Sequence, residues 1–224
     1  MSDIQFPWIT INSDGSEGSQ KLVDCFNLEV SKLDLEVLTM EGMSGKSFRT
    51  FINNLVDLTL DARYLEIGSW YGSTVCSAIN GNRVKATCID NWSEHNGREK
   101  FLENTNKFKN DNVELTLIES NYRDVDFTNI GKFNIYMFDG PHHEEDQYNG
   151  VAFVQPALED RYILIVDDWN HERVRNGTLN ALKEINAKVL CEITVRTSDN
   201  DLQPSPACQD SDWHNGYYIA LIEK

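Results

Sequence analysis

The chain has 224 residues, 40% of them hydrophobic and 25% charged, which suits one domain with a full core. Its formal net charge of −16 argues against non-specific binding to nucleic acid or an anionic membrane, since both need basic patches. Five scattered cysteines without a Cys-x-x-Cys pair support neither a zinc knuckle nor a redox motif, and no apolar run approaches the roughly 20 residues of a membrane span.

Met1–Gln5 has no basic stretch leading into an apolar core, so no signal peptide is expected and the chain reads as cytoplasmic. Residues 1–20 are polar and rich in Ser, Gly and Asp, which predicts a surface arm or a loosely docked lead-in. Residues 1–45 together read as an arm and cap segment ahead of a main domain over 46–224. From Lys46, residues Phe48, Phe51, Ile52, Leu55 and Val56 follow the i, i+3, i+4, i+7, i+8 spacing of an amphipathic helix. Short apolar runs then follow at Tyr64–Ile67, Val84–Ile89, Val113–Ile118, Phe133–Phe138 and Tyr162–Val166. Between the later ones, Phe101/Thr105/Phe108, Tyr148/Val151/Ala152 and Val174/Thr178/Leu182/Ile185 have helical spacing. Alternating strand and helix predicts βαβ units around a parallel sheet. The last two runs, Val189–Val195 and Tyr217–Ile222, have no helix between them and should pair antiparallel. The long link between them, 196–216, is of a kind that forms a functional lid or stays disordered.

The stretch Tyr64-Leu65-Glu66-Ile67-Gly68-Ser69-Trp70-Tyr71-Gly72-Ser73-Thr74 carries the most information. An apolar strand runs into a glycine-punctuated turn and then into a helix start, a design that lets backbone N–H groups approach a ligand closely. Asp90 ends the next apolar run, about where an acid binds a ribose diol in nucleotide-binding α/β folds. The Gly-x-x-x-Gly spacing differs from the Gly-x-Gly-x-x-Gly of dinucleotide binders.

Each of the five parallel runs closes on an acid: Glu66, Asp90, Glu119, Asp139, and Asp167 followed by Asp168. Ligands of an open α/β sheet bind outside these strand ends. Asp139, Asp167 and Asp168 end adjacent strands, and as hard oxygen donors they suit Mg²⁺, Mn²⁺ or Ca²⁺ better than zinc. Alternatively, Asp139 accepts an ammonium of the cofactor while Asp167 or Asp168 caps the helix that starts near His171. His142 is the first candidate for a general base and His171 the second. Trp70, Trp92 and Trp169 follow strand ends and could stack on an adenine or pack. His95 and His214 are expected on the surface.

With these residues in place, the chain resembles the class I S-adenosylmethionine-dependent methyltransferases over about residues 40–224. Glu66-x-Gly68-x-x-x-Gly72 resembles the Glu-x-Gly-x-x-x-Gly motif of the small-molecule O-methyltransferases. Phe138-Asp139-Gly140-Pro141-His142 and Ile165-Val166-Asp167-Asp168-Trp169 resemble motifs of the macrocin-type sugar O-methyltransferases. The resemblance implies a Rossmann-like α/β fold: a seven-stranded, mostly parallel sheet with an antiparallel last strand and helices on both faces. It implies a cofactor site made by Met43, Glu66, Gly68, Ser69, Trp70, Gly72, Ser73, Asp90, Asn91, Trp92, Ser120, Asn121 and Asp139. Asp139, His142 and His171 would serve catalysis, and Asp139, Asp167 and Asp168 would hold a divalent ion, Mg or Mn. The segment Glu41–Lys46 resembles the loop that touches the methionine end of the cofactor, against a simple helix start capped by Ser44. The implied activity is methyl transfer to a hydroxyl of a small polar metabolite, a sugar among the candidates. No nucleic acid or membrane partner is expected, and a homo-oligomer stays open. A non-catalytic binder of the same fold and, further off, a nicotinamide-dependent oxidoreductase are the alternatives. The chain departs from the family at Trp70, where many members have a small residue. It departs again at His142, where catechol-type enzymes have lysine, and at Pro141, a position often acidic in the sugar-modifying relatives.

Overall fold

The computed structural model describes residues 7–224, so the leader reading of Met1–Gln5 lies outside the described residues. Five strands, β2 (Arg63–Ile67), β3 (Val84–Asp90), β4 (Val113–Glu119), β5 (Phe133–Phe138) and β6 (Leu158–Val166), run parallel. β8 (Tyr217–Glu223) is reversed and fits between β6 and β7 (Lys188–Arg196), antiparallel to both. The antiparallel hairpin expected from the last two runs is therefore present.

An eighth strand, β1 (Trp8–Ser13), was not anticipated. It pairs antiparallel with the outer side of β7, giving the order β1-β7-β8-β6-β5-β2-β3-β4. The lead-in expected at residues 1–20 is thus, from Trp8, sheet edge followed by helix α1 (Glu17–Phe26). Ser16 caps that helix by accepting from the Ser19 N–H. Leu22, Cys25 and Phe26 are buried beneath it, at i, i+3, i+4 spacing.

Alternate residues along the central strands face two separate cores. Tyr64, Ile135 and Met137 point to one, shared with Leu22 of α1, Phe48 and Ile52 of α3 (Lys46–Leu58), Val75 of α4 (Ser73–Ile79) and Phe101 of α5 (Arg98–Phe108). Leu65, Tyr136 and Phe138 point to the other, with Val151 of α6 (Glu144–Phe153) and Val174 and Ala181 of α7 (Glu172–Glu184). Burial on both faces is why these strands read as continuous apolar runs.

The long link before β8 docks over its second half. Lys46 N donates to Ser211 O (2.8 Å) and Phe48 N to Asp212 O (3.2 Å), which satisfies donors left free at the start of α3. Trp213 stacks on Phe26, with ring centroids 5.1 Å apart. His214, expected on the surface, is buried in this packing and its Nδ1 accepts from the Cys208 N–H. Among the described residues, no helix is long and apolar enough to cross a membrane.

The connection from β2 leads to β3 on one side, while β5 flanks β2 on the other. Such a reversal leaves a crevice outside the carboxyl ends of the strands, and the acids of the sequence motifs lie there.

Candidate active site

Gly68 and Gly72 both have positive φ (86° and 80°), the left-handed region that costs glycine little. A Cβ on Gly68 would stand 1.9 Å from the Asp139 carbonyl oxygen, so only glycine lets the turn lie against the end of β5. Trp70, between the two glycines, also has positive φ (42°), as do Trp92 (49°) and Asp168 (58°). Three non-glycine residues in this conformation beside one crevice mark backbone held by its surroundings.

Asp90 holds the turn in place. Its Oδ2 accepts from the N–H groups of Ser69 (2.8 Å) and Trp70 (2.9 Å), and its Oδ1 from that of Trp92 (2.7 Å). The Trp92 indole in turn donates to Trp70 O (3.0 Å), tying the two loops together. A carboxylate has about four acceptor positions, so Asp90 keeps capacity for a ligand hydroxyl after these three bonds.

Over this turn opens a cleft of about 850 Å³, counting the space at its mouth. Nine of the residues expected at a cofactor site line it: Met43, Gly68, Trp70, Asp90, Asn91, Trp92, Ser120, Asn121 and Asp139. Glu66, Ser69, Gly72 and Ser73 lie behind the lining. Glu66 is fully buried; Tyr64 OH donates to its Oε2, and its Oε1 has no hydrogen-bond partner. Burial pushes its carboxyl up to about 8. Ser73 Oγ pairs with Ser44 Oγ (3.1 Å).

The cleft has further walls that the motifs do not mark. Tyr122 and Arg123 continue the Ser120-Asn121 loop, and both bond to Asp146, which also lines the cleft. His95, expected on the surface, is exposed and stands in the lining. Direct succession to Ser120-Asn121 was the one sequence signal for Tyr122 and Arg123; Asp146, on α6, carried none.

Beyond Asp139 the acids and histidines form one charge-sharing group. His142 Nε2 lies 2.8 Å from Asp168 Oδ2 and 3.9 Å from Asp139 Oδ1. Burial pulls the imidazole down, but the neighbouring carboxylates of Asp139 and Asp168 outweigh it and hold His142 up at about 11, a cation at neutral pH. Asp168 is held low: burial opposes ionisation, while His142 and an Asn215 amide bond (2.6 Å) more than offset it. Burial raises Asp139 to about 6 against the lowering effect of His142. Asp167, 4% exposed, is raised well above the carboxylate range by burial and its neighbouring acids, and its Oδ1 has no partner. His171 lies beyond, its ring 6.4 Å from that of His142, and opens onto a separate depression with Glu144 and Asp201.

These contacts do not assemble the expected metal centre. Both oxygens of Asp168 are engaged by His142 and Asn215, and Asp167 is buried beside them, where burial disfavours its ionised form. Among the described residues, no three His, Cys, Asp or Glu side chains are disposed to hold an ion. Imidazolium and protonation relieve the repulsion that three adjacent carboxylates would otherwise suffer. Trp169 is buried and stacks on Tyr218, so it packs in the core and does not face a ligand.

A family model described as a methyltransferase domain matches residues 65–169, the stretch from β2 to just past Asp168. Solved structures share the fold at low identity. A methyltransferase of Podospora anserina in its SAH-bound form is 16% identical with a TM-score of 0.53, over 95% of this chain and 91% of that one. The O-methyltransferase TomG of Streptomyces achromogenes, involved in tomaymycin synthesis and in complex with SAM, is 14% identical with a TM-score of 0.52, over 93% and 91%. The precorrin-6y C5,15-methyltransferase of Geobacter metallireducens GS-15 is 16% identical with a TM-score of 0.51, over 79% and 88%. No curated protein matches the sequence.

Proposed function

We propose that the chain is a class I S-adenosylmethionine-dependent methyltransferase that moves the methyl group to a hydroxyl of a small polar metabolite, with sugars among the candidates; the methyltransferase-domain model over residues 65–169 supports this reading. The observation that carries this reading is the cleft over the Gly68–Gly72 turn with the Asp90 carboxylate in its wall. Its lining suits the cofactor. Asp90 has acceptor capacity for a ribose hydroxyl, Ser120 and Asn121 stand beyond it towards the adenine, and Met43 and Asp139 close the opposite end.

Bound there, S-adenosylmethionine supplies an electrophilic methyl on a sulfonium. The residues then have to align an oxygen with the C–S bond and take its proton, and alignment is the larger contribution. Asp139 is in the lining, with its side chain a quarter exposed, and is ionised at neutral pH; it accepts the hydroxyl proton as the new C–O bond forms. His142, clamped by Asp168, is a fixed cation that orients Asp139 and steadies its charge. As a cation it is not itself the base at neutral pH. A net charge of −16 supports a small-molecule acceptor over a nucleic acid.

The reading does not route the chemistry through a metal, since among the described residues no three His, Cys, Asp or Glu side chains are disposed to hold an ion. Turnover should therefore persist in EDTA; loss of activity with chelator and its return with Mg²⁺ or Mn²⁺ would restore the metal-dependent alternative. The primary test is transfer of labelled methyl from S-adenosylmethionine to a panel of hydroxylated metabolites, alongside calorimetry with S-adenosylhomocysteine. Binding without transfer to any acceptor would favour a non-catalytic role, and stabilisation by NAD alone would favour an oxidoreductase.

A further inference from the structure

Arg175, in the first turn of α7, and Arg196, the last residue of β7, are half-buried, and among the described residues neither pairs with a carboxylate. Arg175 Nη1 donates to the carbonyls of Trp169 (2.9 Å) and Asn170, which leaves its Nε and Nη2 without a described partner. Arg196 makes no hydrogen bond with any described residue: its Nε is buried and unpartnered, its two Nη groups reach the surface, and the Trp8 ring centre lies 5.6 Å from its Cζ. Asn170, fully buried, joins the two. Its carbonyl accepts from Arg175, its Oδ1 accepts from the N–H groups of Thr197 (2.9 Å) and Ser198 (3.3 Å), and its Nδ2 donates to Thr197 Oγ1 (2.8 Å). Burial and then the Arg196 charge depress the Arg175 guanidinium, and Asp201 and Glu172 offset this only in part. Two like charges are thus held together with N–H groups to spare, in a chain whose net charge is −16.

β7 runs in the same direction as β6, because both are antiparallel to β8, so Arg196 ends its strand at the edge of the sheet where Asp139 and Asp168 lie. From Asp139 the groups follow in succession: His142 at 3.9 Å, His171 with its ring 6.4 Å from that of His142, and Arg175, whose N–H donates to His171 O (3.2 Å) one helical turn later. The ends of β5 and β7 are three strand spacings apart, about 14 Å, and the cofactor cleft extends the other way along the sheet, over β2 and β3. Two guanidiniums match a phosphate monoester, which carries about −1.5 to −2 near pH 7 and three strong acceptor oxygens. A single carboxylate would leave half of the positive charge unmet. S-adenosylmethionine has no phosphate, so such a group belongs to the methyl acceptor.

We propose that Arg175 and Arg196 form a phosphoryl-binding subsite: the methyl acceptor is a phosphorylated metabolite whose phosphoryl group binds between the two guanidiniums while its hydroxyl reaches Asp139. The proposal rests on the methyl transfer proposed above and narrows its acceptor class. Stacked against Trp8, the Arg196 guanidinium keeps its plane, and planar forks are suited to phosphate oxygens. Neither arginine touches a reacting atom, so their effect falls on acceptor binding.

Inorganic phosphate is the first probe. Titrated into the wild-type protein at an ionic strength held constant with NaCl, and followed by phosphorus NMR, it should bind saturably. Arg175→Gln and Arg196→Gln should each weaken that binding about tenfold, the effect of one charge-assisted contact. Arg83→Gln removes the same charge from an exposed residue just before β3, at the other end of the sheet, and should change it by less than about twofold. No saturable binding, or equal weakening in all three variants, overturns the subsite. Should Arg175→Gln fail to fold through loss of its bonds to Trp169 and Asn170, Arg196→Gln decides alone, because that side chain makes no hydrogen bond with a described residue. Methyl transfer is then compared between sucrose 6-phosphate and sucrose, and between trehalose 6-phosphate and trehalose. The phosphorylated member of a pair should have a kcat/KM about tenfold higher or more, carried in KM and lost in Arg196→Gln, and equal values within the pairs overturn the acceptor assignment. Phosphate binding that needs both arginines, with no transfer to any compound, would keep the subsite and bring down the transferase reading, so the two failures are distinct.

Discussion

Asp139, His142 and Asp168 divide charge so that one member can titrate near neutrality, and this gives the pH profile a sign. Asp139 stands at about 6 and His142 at about 11, so kcat/KM should rise with pH through about 6 and then level. In His142→Gln the limb should move to higher pH, because the cation that lowers Asp139 is gone; disappearance of the limb would identify His142 as the base instead. Glu66 gives a stability counterpart. Its folded value of about 8 lies above the ordinary 4.5, so between those values the folded state binds the extra proton and stability falls as pH rises. Glu66→Gln should therefore gain about 2–4 kcal/mol on wild type between pH 5 and pH 8, as read by urea denaturation at both pH values. The sequence displayed the site's acids clearly, since one at each strand end is a positional signal. It did not display their protonation, because Asp167 and Asp168 are neighbours in sequence yet one is buried with an unpartnered oxygen and the other paired with an imidazole from the loop after the adjacent strand β5.

The glycine turn and the edge strand show why some elements can be read from sequence and others cannot. Gly68→Ala would force a side chain to positive φ and to 1.9 Å from the Asp139 carbonyl. It should cost about 2–4 kcal/mol of stability and remove thermal stabilisation by S-adenosylhomocysteine; scanning calorimetry with and without ligand measures both. β2, β5 and β6 were legible because burial on both faces writes an unbroken apolar run into the chain. All six residues of β1 are exposed, so no buried face imprints a pattern on Trp8–Ser13. What holds that strand is its backbone ladder to β7 and contacts such as Asn12 Nδ2 to Glu192 Oε1 (2.8 Å), neither of which has a local signature. Removing residues 1–14 should lower Tm by several degrees while leaving ligand affinity intact, since the cleft lies at β2, β3 and β5.

For the whole molecule the excess of acids is the largest electrostatic fact. Sixteen uncompensated negative charges repel one another across a compact body, so screening should help. Tm is expected to rise as NaCl goes from about 20 mM to about 500 mM, in which range the Debye length drops well below 10 Å; a flat or falling Tm would mean that attractive pairs such as Arg161–Glu223 dominate. The sheet's topology also orders events in time. β1 leaves the ribosome before every other strand of this sheet, yet its partner residues 191–196 come about 180 positions later. At 5–20 residues per second the nascent strand waits about 10–40 s for β7, long enough for β2 to β6 to be made and paired. The Asp90 clamp and the glycine turn can therefore form on a polypeptide whose far edge is still open, and closing of that edge by Trp8–Ser13 would be a late step in maturation, detectable as slow protection of the β7 amides in pulsed hydrogen exchange.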